Sequence, residues 1–191
     1  SIRSDSEESP APIAWPRGVL LWMGSLTALC MVAEGSMYDW SALFVQQERH
    51  TDAATGALGF AAFSAAMAIG RLFGDRVRER LSSTALMRLS GAVAALGMAL
   101  ALTVAAPWAA LLGFMLVGLG LANVVPVLFA AAAQVPGVAA AHGVAAVSSV
   151  GYLGFMVGPP LIGALARWSS LTTALWAVAL FAVLMAAAAR A

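Results

Sequence analysis

The chain has 191 residues, of which 62% are hydrophobic and only 10% charged, whereas about 25% of residues are charged in an ordinary soluble domain. Residues 89–166 contain no Asp, Glu, Lys or Arg at all. This composition excludes a soluble globular domain, and the net charge of +1 gives no indication of a nucleic-acid partner.

The long apolar runs predict helices that cross a lipid bilayer. A spanning helix needs about 20 mostly apolar residues, and no run alternates with period 2 as a barrel strand does. We predict an all-α membrane protein with six spans, at residues 18–44, 53–73, 84–105, 109–133, 139–165 and 171–189. Residues 17–191 form this transmembrane domain. Residues 1–16, rich in Ser, Glu and Pro, read as a cytoplasmic linker or tail.

A basic segment at residues 70–80, which we call the hinge, joins the second and third spans. Short arginine-rich loops stay in the cytoplasm during membrane insertion. With both termini inside, eight of the ten arginines lie on the cytoplasmic side, and only Arg49 and Arg167 lie outside. The charge distribution therefore favours six helices with cytoplasmic termini.

The first span carries two acids. Glu34 lies near its middle, where an intramembrane carboxylate usually faces a cavity or a partner, so it is a candidate for binding substrate or a proton. The alternative is a packed acid that only fixes the structure. Tyr38, one turn further on, shares the face of Glu34. Asp39 lies about 140° around the helix from Glu34, and either a substrate contact or a helix-end cap would explain it.

The fourth and fifth spans carry the other candidate groups. Asn123 and Pro126 are typical of a broken, polar-lined transporter helix, although a hydrogen bond between helices explains Asn123 equally well. Ser148 and Tyr152 could line a cavity or serve only in packing. A further group consists of residues expected to kink a helix or pack it closely, namely Gly154, Gly158 and Pro159.

Two classes of site are absent from the pattern. His50 and His142 have no Cys, His or carboxylate neighbours at metal-ligand spacing, so we predict no metal site. No phosphate-binding glycine loop and no Gly-x-Ser-x-Gly are present, so we predict no cofactor and no enzymatic activity.

The hinge resembles the signature loop of the major facilitator superfamily, since Asp75 and Arg76 match its acidic and basic positions. It departs from that loop at Arg78, where a glycine is usual, and at Glu79, where a basic residue is usual. Residues 34–43, 118–126 and 158–163 resemble segments of fucose-permease-like bacterial carriers, in their second half.

This resemblance implies the fold and the activity. It implies the C-terminal half of a transporter with two six-helix halves, each half being two inverted three-helix repeats. It also implies proton-coupled secondary transport of a small solute such as a sugar in a bacterial inner membrane, with an N-terminal half as partner. Three hinge residues then become candidates for a gate, or for a solvated loop that only sets topology, namely Arg71, Asp75 and Arg76.

A second hypothesis needs no other half. The six helices would then act as a homodimeric transporter or as a membrane assembly subunit. An intramembrane enzyme is disfavoured, because Glu34 and Asp39 are poorly placed to form a catalytic pair.

Overall fold

The computed structural model describes residues 18–189, and this part of the chain forms eight α-helices. They are α1 (Val19–Glu48), α2 (Ala53–Leu72), α3 (Gly74–Arg80), α4 (Ser83–Thr103), α5 (Pro107–Leu121), α6 (Val124–Ala132), α7 (Ala140–Trp168) and α8 (Leu171–Ala188). Six segments are long and apolar enough to cross a membrane, α5 and α6 together making the fourth. The predicted linker at residues 1–16 lies outside the described residues, as do Arg17 and Arg190.

Two of the differences from the prediction affect the position of the charged residues. α1 continues to Glu48, four residues past the predicted end, because nothing interrupts the helix before His50, whose φ is +52°. The hinge is not an open loop: residues 74–80 form the short helix α3, and Arg71 belongs to the last turn of α2. Arg71, which the predicted ranges place both in the second span (53–73) and in the hinge (70–80), is therefore a residue of the span.

Polar side chains begin three of the spans. Asp52 accepts a hydrogen bond from the Thr55 N–H, Ser82 from the Ala85 N–H, and Ser170 from the Thr173 N–H. Each satisfies a backbone donor that has no partner within the helix. The Thr55 N–H also holds the pKa of the Asp52 carboxyl below its usual range, because it stabilises the charged form.

The spans fall into two sets of three, the first made of α1, α2 and α4 and the second of α5–α6, α7 and α8. The two sets pack on each other in a matching way: α1 packs on α7 as α5 packs on α2, and α4 packs on α5 as α8 packs on α1. Within the sets the match is incomplete, since α7 contacts α8 whereas α2 does not contact α4. The bundle is thus the expected pair of inverted three-helix repeats.

Glycines bring α1 and α7 into close contact. A Cβ on Gly154 would lie 2.6 Å from the carbonyl oxygen of Ala28, and one on Gly158 would lie 2.5 Å from that of Val32. Both distances are shorter than van der Waals contact, so only glycine allows this approach. Membrane helices associate through such small-residue contacts, since lipid supplies no hydrophobic driving force between them.

Arg49 connects α1 to α4 at the end of the bundle opposite the hinge. Its Nη2 donates to the carbonyl oxygens of Ala101 and Leu102, at 2.6 and 3.4 Å, and its guanidinium lies 4.6 Å from the centre of the Phe44 ring. Burial lowers the pKa of this guanidinium, while the Glu48 carboxylate acts in the opposite direction. Arg49 therefore satisfies carbonyls at the end of α4 that have no partner within the helix.

We expect Arg49→Gln to destabilise the protein by about 1–2 kcal/mol, because the hydrogen bonds to a charged donor and the cation–π contact are lost together. Arg167→Gln is the matched control, since Arg167 is an exposed arginine in another turn at the same end of the bundle. Thermal unfolding of the two variants in detergent measures the difference. Equal losses of stability would contradict the role assigned to Arg49.

Candidate functional site

A half-buried ion pair lies between the first two spans. Arg71 Nη2, at the end of α2, is 2.9 Å from Glu34 Oε1, in the middle of α1. The Glu34 side chain is only 8% exposed, while that of Arg71 is 45% exposed. The carboxylate is thus enclosed by the helices, and the guanidinium is accessible from one side. Such a charge is tolerated inside a bundle when a partner compensates it.

The pair faces a cavity of about 550 Å³, within the size range of small-molecule sites. Its walls come from α1, α2, α6 and α7. The lining residues are Met31, Glu34, Tyr38, Arg71, Val125, Pro126, Phe129, Tyr152 and Phe155. Four of them are aromatic, and Glu34 and Arg71 are the two charged members. The cavity therefore offers a charged pair at one wall and aromatic rings around it.

Tyr38 holds the aromatic wall together. Its ring centre lies 5.2 Å from that of Phe63, 5.9 Å from that of Phe60 and 6.3 Å from that of Phe155. Phe60 and Phe63 are near the middle of α2, so Tyr38 marks the mid-depth of the bundle. Glu34, four residues earlier, lies about 6 Å nearer the hinge end.

Asp39 lies outside this cavity. It is exposed and lines a second groove of about 520 Å³ between α1 and α7, where Trp40 donates from Nε1 to the Pro159 carbonyl oxygen at 3.1 Å. The capping explanation is wrong, because α1 runs unbroken past Asp39 to Glu48. Phe155 lines both the groove and the cavity, so Asp39 and Glu34 lie on different sides of that ring.

Asn123 makes a hydrogen bond between helices. Its Nδ2 donates to the carbonyl oxygen of Gly70 at 3.0 Å, and the residue is only 7% exposed. It lies at the break between α5 and α6, three residues before Pro126, which lines the cavity. Of the two interpretations left open by the sequence, the structure has the hydrogen bond, and Asn123 is not among the cavity residues.

Of the polar residues of α7, the two serines bond to their own helix, whereas Tyr152 lines the cavity. Ser148 Oγ donates to the carbonyl oxygen of Ala145 at 3.1 Å, and Ser149 does so at 2.8 Å, so both hydroxyls are engaged by their own helix. Ser148 is not a lining residue of the cavity. Tyr152 is, and its side chain is 58% exposed.

The charged residues of α3 make their contacts within residues 73–80. Asp75 pairs with Arg78 one turn further along α3, and the Arg76 guanidinium lies 5.5 Å from the centre of the Phe73 ring. A gate would need contacts from the hinge to the ends of other helices. In this conformation Asp75 and Arg76 instead contact Arg78 and Phe73. Of the three gate candidates, Arg71 alone reaches the cavity.

Sequence reasoning missed the pairing of Arg71 with Glu34 and the aromatic residues Phe129 and Phe155. A weak signal existed for Phe155, which follows Tyr152 by three residues and therefore shares its helix face. No such signal existed for the ion pair, whose members lie 37 residues apart on different helices.

A six-span helical bundle with a charged pair facing a central cavity defines a multi-pass membrane protein of the transporter type. The family model of the Major Facilitator Superfamily matches residues 11–191, and the chain belongs to that family. The chain is therefore one half of a transporter bundle in architecture, as the inverted repeats indicate.

Relatives carry the same assignment. The chain is 39% identical over its whole length to an uncharacterized MFS-type transporter of Yersinia pestis, covering 50% of that protein. Over 88% of its length it is 40% identical to the membrane protein MosC of Rhizobium meliloti, covering 42% of it. It spans about half the length of these relatives.

A solved structure has the same fold. A variant of the Escherichia coli fucose:proton symporter FucP matches with a TM-score of 0.81 over 91% of this chain and 42% of that one. The sequence identity is only 15%, so this likeness establishes the fold alone.

Proposed function

We propose that this chain is the C-terminal half of a secondary transporter that moves a small solute together with a proton by alternating access. In this scheme the chain and an N-terminal six-helix half rock about a site between them. The length of the relatives, about twice that of the chain, supports a second half over a self-contained module.

The observation that carries the proposal is the Glu34–Arg71 pair on the wall of the cavity. In this structure the Arg71 guanidinium compensates the charge of the enclosed Glu34 carboxylate. In the proposed cycle, a conformation without that contact would have a proton in place of the guanidinium. Each time the Arg71–Glu34 contact broke and formed again, Glu34 would thereby bind and release one proton.

The lining of the cavity favours a polar solute with an apolar face, such as a sugar. The rings of Phe129 and Phe155 can pack against the carbon face of a sugar ring. The hydroxyl of Tyr152 and the N–H groups of Arg71 that do not face Glu34 can bond its hydroxyls, and the Tyr38 oxygen, whose hydroxyl is hydrogen-bonded to Glu34, can accept from one of them. The fucose:proton symporter that shares the fold has a substrate of this class in its name.

The proposed orientation follows from the arginines. The hinge and both termini lie in the cytoplasm, and the turn that carries Arg49 lies on the outer side, in a bacterial inner membrane. Arg76 and Arg78, at the cytoplasmic surface in this orientation, then stay among water and lipid headgroups.

Asp39 is assigned to the path of the solute or to the contact with the other half, and not to proton coupling. An exposed carboxylate at mid-depth is costly in lipid, so its groove faces the other half or the path of the solute. We expect Asp39→Asn to raise the KM for the solute about tenfold, as for a lost hydrogen bond to a charged group, while proton coupling remains. Initial rates of uptake by the full-length protein measure this, and a loss of coupling with unchanged KM would contradict it.

The experiment that tests the proposed function is uptake of radiolabelled monosaccharides into proteoliposomes that contain the full-length protein. An imposed pH gradient is expected to drive accumulation of at least one sugar, and a protonophore is expected to abolish it. Accumulation that ignores both would remove the proton from the proposal. Transport confined to other solutes, such as amino acids, would remove the sugar.

A further inference from the structure

The end of α2 is held from two sides. Arg71 reaches across to Glu34 on α1, and the carbonyl of the preceding residue, Gly70, accepts the hydrogen bond from Asn123 at 3.0 Å. A carbonyl in the last turn of a helix has no partner within that helix, so an external donor fixes its position. The direction of the Arg71 side chain depends on that position.

The Asn123 amide is fixed on its other side as well. A Cβ on Gly74, the first residue of α3, would overlap the Oδ1 atom of Asn123, so the amide is packed directly against the backbone there. Asn123 therefore contacts the chain on both sides of the bend between α2 and α3. With 7% exposure it has little freedom to take another rotamer.

Asn123 is also joined to the wall of the cavity. It precedes α6 directly, and the α6 residues Val125, Pro126 and Phe129 line the cavity. Pro126 has no N–H to offer the carbonyl four residues earlier, so the helix is weakened at this break. A displacement of α6 moves Asn123, and with it the end of α2.

We propose that Asn123 is a positioning residue, which holds Arg71 on Glu34 and transmits movement of the α6 wall to that pair. The inference rests on the proposed function, in which the pair is the coupling site. A solute that presses on Phe129 would thus loosen the ion pair without touching either charge. Proton exchange at Glu34 and occupation of the cavity would be linked through a single hydrogen bond.

A double-mutant cycle on the full-length protein in detergent tests the positioning role without any solute. We expect Asn123→Ala to lower the Tm by about 4 °C, the joint effect of the lost hydrogen bond to Gly70 and of a loosened Arg71–Glu34 pair. In the Arg71→Gln background only the hydrogen bond to Gly70 is lost, so the same change should cost about half as much. Gly74→Ala, which displaces the Asn123 amide, should also lower the Tm less in the Arg71→Gln background than in the unaltered protein. This variant replaces Asn123→Ala in the cycle if Asn123→Ala does not fold.

Thr172→Val is the matched control. Its hydroxyl donates to Glu48 Oε2 at 2.6 Å, a hydrogen bond between helices at the far end of the bundle, so its effect should add fully to that of Arg71→Gln. Full additivity for Asn123→Ala, or an unchanged Tm, would overturn the inference.

The transport assay then tests the link to coupling. Asn123→Ala should reduce pH-driven accumulation about fivefold, while Thr172→Val leaves it unchanged. Equal accumulation by the two variants would overturn the link. If the unaltered protein shows no pH-driven transport, the proposed function fails, whereas the cycle still reports on the position of Arg71.

Discussion

Glu34→Gln is expected to abolish accumulation of the solute against its gradient while exchange of solute across the membrane continues. Glutamine keeps the size of the side chain and can still accept a hydrogen bond from Arg71, but it cannot take up a proton. Exchange needs only the loaded carrier to reorient, whereas accumulation needs the proton to be bound and released in every cycle. We expect accumulation to fall by about 100-fold, because an essential protonation step is removed.

The control for this prediction is Glu48→Gln, the same chemical change near the end of the same helix. Glu48 accepts a hydrogen bond from Thr172 and does not line the cavity. This variant should accumulate solute normally, with at most a small loss of stability. If Glu34→Gln behaves like Glu48→Gln, then Glu34 is a packed acid and the coupling site lies elsewhere.

Gly158→Val is expected to have the largest effect on folding. Its Cβ would lie 2.5 Å from the Val32 carbonyl oxygen and 3.0 Å from the Val32 Cα, so neither neighbour is a flexible side chain that could move aside. The two longest helices, α1 and α7, would have to separate along their contact. We expect a loss of about 3 kcal/mol, as for an overpacked core, and much less folded protein in the membrane.

Val157→Leu is the matched control for that prediction. Val157 directly precedes Gly158 in α7 but is 55% exposed, so a larger side chain there meets no neighbouring backbone. Size-exclusion profiles of the two variants in detergent separate a packing effect from general intolerance of the helix. A folded Gly158→Val protein that fails only in transport would instead indicate a conformational role for this glycine.

The spans and the enclosed acid were predictable from the sequence, because both follow from the cost of burying charge and unpaired backbone in lipid. A run of about 20 apolar residues has few alternatives to a spanning helix. A carboxylate such as Glu34 within such a run has few alternatives to a cavity or a partner. These inferences are local, and local sequence is sufficient for them.

The partner of Glu34 was not predictable, because it depends on how two helices are aligned. Arg71 stands at the border of an apolar run, and its place in the last turn of α2 rather than in the hinge depends on a bend at Phe73. The depth of Glu34 also depends on where α1 ends, and four extra residues move that end by about 6 Å. Sequence patterns do not fix helix ends to that precision.

The same limit applies to Asn123 and Arg49. For Asn123, a place on the cavity wall and a bond between helices have the same sequence signature, and only the packing of α2 against the fourth span decides between them. The charge pattern of the sequence places Arg49 only on the outer side of the membrane, yet Arg49 donates to carbonyls at the end of α4. Long polar side chains find partners that depend on tertiary contacts.

Solute-driven proton movement is the most direct test of the proposed function. Full-length protein is reconstituted with a pH-sensitive dye inside the vesicles, and the transported sugar is then added outside without any imposed pH gradient. We predict acidification of the interior with the unaltered protein and none with Glu34→Gln. Equal acidification in both proteins, or sugar entry without acidification, would contradict the claim that Glu34 couples solute to protons.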